Sequence, residues 1–129
     1  MTSPRLQHVL VLTDDLDATK AFYCDVLGLE VGERPLLPFP GYWLYADGVA
    51  CVHIAERGSY AVQCEELGLS AKPSPVDHVA FEADGYEQLL ERLQAAGLEV
   101  TTNAAPGSGV RQLFFDDPNG IRIELNIVA

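Results

Sequence analysis

Gly28-Leu29-Glu30-Val31 recurs as Gly97-Leu98-Glu99-Val100, and the same order of signals surrounds each copy. Before the first copy, residues 6–12 read as a short strand, with Val9 and Val11 on one face and His8, Leu10 and Leu12 on the other. Asp14 or Asp15 is placed to cap a helix whose apolar positions Leu16, Phe22 and Val26 share one face, and Gly28 to end it in the left-handed conformation. After a loop carrying Pro35, Pro38 and Pro40, residues 42–46 and 49–55 read as a hairpin about Asp47-Gly48. Before the second copy come a strand over 76–82 and an amphipathic helix over 85–96 with Tyr86, Leu89, Leu90 and Leu93 inward. After it, Leu98-Glu99-Val100, residues 110–115 and residues 121–128 read as strands, the last two joined by the turn formers Asp116-Asp117-Pro118-Asn119-Gly120.

A duplication of this kind fixes the fold. The expectation is one α+β domain over residues 1–129, built from two tandem βαβββ modules that form a half-barrel or cup. Module one covers 5–56, a linker rich in Gly and Pro covers 57–75, and module two covers 76–129.

The chain's 129 residues carry 19 Asp and Glu against 8 Lys and Arg, a net charge of −11. No basic stripe exists to meet phosphates, so nucleic-acid and anionic-membrane partners are not expected. Neither a signal-peptide core nor an apolar run long enough to span a bilayer is evident, which predicts a cytoplasmic protein. Cys24, Cys51 and Cys64 are odd in number and share no close metal or redox spacing, so they read as free thiols.

The register of the repeat carries the functional reading. His8 opens the first module and His53 lies on its last strand; His78 opens the second and Glu124 lies on its last strand. Each is out of phase with the apolar neighbours expected to pack against the helices, so all four are predicted on the opposite face, together in the cup. A carboxylate amid apolar strand residues is costly to bury unless it is paired or bound to a metal. All three histidines of the chain fall on these slots. A set of three His and one Glu suits a borderline divalent ion such as Zn, Ni, Co, Fe or Mn, and is poor for Ca or Mg. Arg122 and Asn126 flank Glu124 and are placed to orient it or to hold a substrate carboxylate; Trp43 and Phe115 are candidates to wall the pocket.

The duplicated unit, His8 and His78, and the ending from Phe115 through Asp116-Asp117-Pro118-Asn119-Gly120 to Glu124 resemble the vicinal oxygen chelate superfamily. That family includes glyoxalase I, bleomycin- and fosfomycin-resistance proteins, methylmalonyl-CoA epimerase and extradiol dioxygenases. Within it the aromatic third strand at Tyr42-Trp43-Leu44-Tyr45, followed by Val52-His53-Ile54, is most similar to small glyoxalase-I-like proteins. The resemblance implies a metal held at His8, His53, His78 and Glu124, a small substrate chelated through adjacent oxygens, and a homodimer. The implied activity is a metal-dependent lyase or isomerase in which Glu124, the only carboxylate of the set, moves the proton. A glyoxalase I has a carboxylate where this chain has His53. The alternatives are an Fe(II) extradiol-type dioxygenase using His8, His78 and Glu124, and a non-enzymatic small-molecule binding or resistance protein.

Overall fold

Strand β1 (Arg5–Thr13) buries His8, Leu10 and Leu12 and leaves Val9, Val11 and Thr13 between them half-buried, the two-residue alternation expected of a strand. The computed structural model, which describes residues 3–104, 107–116 and 121–128, then turns the chain at Asp15. The Asp15 side chain accepts from the Ala18 N–H at 3.0 Å and caps helix α1 (Leu16–Ala21). Beyond Ala21 the helix widens into a π turn over Phe22–Val26. That turn breaks the four-residue alignment on which the expected apolar face depends, and Phe22 and Val26 are exposed. Gly28 ends the segment at φ +81°, as its position predicts.

Strands β2 (Glu30–Gly32), β3 (Gly41–Ala46) and β4 (Val49–Glu56) complete the first module. Asp47 and Gly48 both have positive φ, the conformation of a two-residue hairpin turn. β4 runs antiparallel to β3 and parallel to β1, giving the order β2-β3-β4-β1. The connection expected as a linker carries helix α2 (Arg57–Glu66). Its Tyr60 and Cys64, one turn apart, bury against Leu10, Leu12 and Ala55. In this module α2 therefore packs over Leu10 and Leu12 on the β1 face that bears His8, where that face was expected to turn away from the helices. Asp77, fully buried, accepts from Tyr60 Oη at 3.1 Å and from the Lys72 N–H at 3.2 Å, fastening the end of the connection to α2.

The second module holds β5 (Val76–Ala83), α3 (Tyr86–Ala95), β6 (Thr101–Ala104), β7 (Val110–Asp116) and β8 (Arg122–Val128), in the order β5-β8-β7-β6 with β5 and β8 parallel. Leu98-Glu99-Val100 falls outside any strand; β6 begins at Thr101, and Val100 packs into the core instead. α3 turns Leu89, with Tyr86, Leu90 and Leu93, onto Phe81, Leu113, Leu125 and Ile127. His78 and Glu124 alternate with that core and occupy the other face of their strands, as the register predicts. The turn over 117–120 lies outside the described residues. By contact the chain parts into two units, Met1–Gln7 with His78–Ala129 and His8–Asp77. The fold is α+β with two βαβββ modules. No helix among the described residues is long and apolar enough to cross a membrane.

Candidate metal centre

In the second module the parallel register sets Arg122 opposite His78 and Ala80 opposite Glu124, so His78 and Glu124 are diagonal neighbours on one face. Ala80, fully buried, contributes only a methyl group there and leaves the space to the two longer side chains. Both of these are buried, and His78 Nε2 stands 3.6 Å from Glu124 Oε1. That is long for a hydrogen bond. It is close to the roughly 3–3.5 Å that separates two donors each about 2.0–2.2 Å from a shared ion.

The other carboxylate oxygen is held by an amide. Asn126 Nδ2 donates to Glu124 Oε2 at 2.8 Å and to Gln7 Oε1 at 2.7 Å, while Asn126 Oδ1 accepts from Gln112 Nε2 at 3.0 Å. Asn103 Nδ2 donates in turn to Gln112 Oε1 at 2.7 Å. At the other end Gln7 Nε2 donates to Glu82 Oε1 at 3.1 Å, and Arg5 Nη2 reaches Glu82 Oε2 at 3.3 Å. The row of amides thus runs across β6, β7, β8 and the start of β1, with every partner fixing the orientation of the next. The Gln7 hydrogen bond, aided by Arg5 and opposed by partial burial, holds the Glu82 carboxyl below the usual carboxylate range.

In the first module His8 and His53 are both buried and stacked, with ring centroids 3.7 Å apart and planes inclined by 15°. Trp43 lies opposite His53 in the β3–β4 register and stacks on its other side at 4.1 Å and 10°. His53 Nε2 is 3.1 Å from the Ala50 carbonyl oxygen, which assigns the ring hydrogen to Nε2 as donor. Trp43, expected to wall a pocket, is therefore one end of a ladder of three rings on adjacent strands.

Of the residues expected around the substrate, Arg122 is buried two positions before Glu124 on the same face of β8. Phe115 packs with the α3 core; it is Phe114, also buried, that lies opposite Glu124 in the β7–β8 register. Arg111 lies over the Tyr86 ring at 3.7 Å, on the α3 face. Gln7, Gln112 and Asn103 carry the support of Glu124 and were not singled out by sequence. Their only signal is strand phase, since Gln112 stands opposite Asn126 and Asn103 opposite Gln112. Cys24, Cys51 and Cys64 are free cysteines.

Comparison with known proteins agrees with this architecture. A family model described as the glyoxalase/bleomycin resistance protein/dioxygenase superfamily matches residues 5–125. The chain is 32% identical over 124 residues to a protein named glyoxylase I 4 of Arabidopsis thaliana, covering 93% of this chain and 68% of that one. It is 30% identical over 126 residues to the lactoylglutathione lyase of Haemophilus influenzae, covering 93% and 90%. Among solved structures, methylmalonyl-CoA epimerase of Streptomyces coelicolor superposes with a TM-score of 0.70 at 25% identity, covering 99% of both chains. A superfamily member from Vibrio splendidus shares the fold with a TM-score of 0.65 at 21% identity, covering 97% and 99%. A duplicated βαβββ fold, a family match over residues 5–125 and relatives at 30–32% identity aligned over 93% of this chain converge: this protein belongs to the glyoxalase/bleomycin resistance protein/dioxygenase superfamily.

Proposed function

We propose that His8, His78 and Glu124 hold a divalent metal ion of the Zn, Ni, Co, Fe or Mn group, and that the protein is a lyase or isomerase of the glyoxalase I kind. The observation that carries the reading is the buried His78–Glu124 pair, spaced for a shared ion rather than a hydrogen bond. His8, buried in the first module, is the third donor assigned to the ion; its place at the opening of that module matches that of His78 in the second. Two imidazoles and one carboxylate fit a first-row divalent ion and leave positions open for a substrate with adjacent oxygens. When bound, the ion supplies Lewis acidity toward a carbonyl oxygen of that substrate.

The residues then divide the work. Glu124 Oε1, on the His78 side, is the oxygen that would hold the ion. Oε2 is the oxygen that takes the proton from the carbon beside the substrate carbonyl and returns it to the neighbouring carbon. Asn126 is a neutral donor to Oε2, so it orients that oxygen without neutralising it. Glu82 is a poorer candidate: it lies half exposed, and besides an amide bond from Gln7 like the one Glu124 receives from Asn126, it is paired with the Arg5 cation. The lyase names of the bacterial relatives and the epimerase name of the structural neighbour support proton transfer beside a carbonyl. We extend the proposal to a homodimer, which a molar-mass measurement in solution checks.

One observation favours a second reading. With the His53 ring stacked on His8, the donors that remain are two histidines and one carboxylate, the set used by Fe(II) oxygenases. The test is metal analysis of protein purified without chelator, followed by assay with the hemithioacetal of methylglyoxal and glutathione and, separately, with a catechol under oxygen. Metal-dependent isomerisation upholds the first reading. Iron as the native ion with oxygen consumption replaces it by the second, and absence of stoichiometric metal overturns both.

A further inference from the structure

We propose that Trp43 and His53 are positioning residues for His8: they form a stacked ladder that fixes the plane of the His8 imidazole, with His53 acting through its ring face rather than as a metal donor. The inference rests on the metal-binding reading and adds to it how one ligand is held.

The ring geometry weighs against the simpler role for His53. An imidazole lone pair lies in the plane of its ring. The rings of His8 and His53 are nearly parallel, inclined by 15° with centroids 3.7 Å apart. An ion in the plane of the His8 ring therefore lies off the plane of the His53 ring, and one ion cannot be bound by both without breaking the stack. His53 is also committed on its edge, where Nε2 meets the Ala50 carbonyl at 3.1 Å. That bond fixes the ring about its own χ2 axis, and Trp43 closes the outer face at 4.1 Å and 10°.

A ligating histidine ordinarily has its ring orientation set by a hydrogen bond from its second nitrogen. Here an added means is a face: a flat ring clamped between Trp43 and His8 restricts His8 to rotations within its plane. Trp43 anchors the ladder because its large ring has two torsions to lose and is half-buried on the strand paired with β4.

The test is the affinity of the full-length apo protein for Zn²⁺, by competition with a chromophoric chelator, and the Co²⁺ absorption spectrum of the loaded protein. Four variants are compared, with the apo melting temperature of each recorded. His53→Phe keeps a flat ring and removes both nitrogens; it is expected to bind within about threefold of wild type and to leave the Co²⁺ spectrum unchanged. His53→Ala removes the ring, and an outer-residue loss of about 10–100-fold is expected. Trp43→Phe should resemble wild type, while Trp43→Ala, which removes no donor at all, should weaken binding about tenfold. If His53→Phe loses as much as His53→Ala, or the Co²⁺ band changes, His53 is a donor and the proposal is wrong. Unchanged affinity in Trp43→Ala also overturns it. Should His53→Phe fail to fold, the Trp43 pair decides alone. If wild-type protein binds neither ion, the metal reading itself fails and takes this inference with it.

Discussion

Asn126 and Glu124, two residues apart on β8, are joined by a hydrogen bond of 2.8 Å from Nδ2 to Oε2, while Oε1 faces His78 at 3.6 Å. The carboxylate is gripped on one oxygen and presented on the other. Asn126→Ala should free it to rotate, lowering metal affinity about tenfold, the low end for residues that orient ligands. Isothermal titration with Zn²⁺ measures this. Affinity equal to wild type would show that the amide row does not set the carboxylate.

Metal and fold should be linked. An ion that binds the native state alone stabilises it by RT ln(1 + [L]/Kd), about 2.7 kcal/mol at a hundredfold excess over Kd. Thermal scans with and without a chelator should differ by several degrees in wild type, and by much less in Glu124→Ala. An equal shift in both proteins would place the ion elsewhere.

Asp77 predicts a site where stability alone responds. It is fully buried and accepts from Tyr60 Oη at 3.1 Å. Tyr60→Phe removes that donor and keeps the ring, so about 1–3 kcal/mol of stability should be lost. Urea unfolding gives the number, and metal affinity should stay within error.

Gly41 tests the packing of β3 on β4. A Cβ at this position would collide with the Ile54 carbonyl oxygen, and the Ala55 Cα backs it at 3.3 Å. Backbone cannot yield as a flexible side chain can. Gly41→Ala should therefore cost more than about 2 kcal/mol, whereas Gly41 in a loose strand would accept alanine freely.

Glu82 sets the sign of an acid-range effect. Its carboxyl is held low chiefly by the Gln7 hydrogen bond, so the native state binds a proton there less readily than the unfolded chain. The stability it contributes is present above the unfolded pKa of about 4.3 and is lost as pH falls through the lower native value. Half exposure of the side chain limits the effect to under about 1 kcal/mol. Glu82→Gln should lower the urea midpoint at pH 7 and leave it unchanged at pH 3.

Repetition made the fold legible. The Gly28 and Gly97 caps are both found at positive φ, and α3 shows its apolar face to the core as its spacing requires. The π turn over Phe22–Val26 left no such trace, because apolar residues there fit the ordinary helical period and gave no sign that the helix widens. α2 was hidden for a different reason: its buried face is only Tyr60 and Cys64, and Gly58 beside them reads as loop. At the site, strand phase alone puts His78 and Glu124 on one face. The amides that hold Glu124 were harder to see, since Gln and Asn on strands carry no expectation of burial or charge. The stack was harder still: register shows that Trp43 faces His53, but the angle between two rings depends on torsions that no spacing encodes.

The strand connections also predict an order of assembly for the ring ladder. Trp43 and His53 sit across a hairpin closed by the two-residue turn Asp47-Gly48, a contact of short loop length that can form early. His8 joins only when β1 pairs in parallel with β4, after the intervening chain has been gathered. The fluorescence of Trp43, the only tryptophan of the chain, should therefore record two events during refolding, hairpin closure and then docking of β1. Competence to bind metal should arrive with the second.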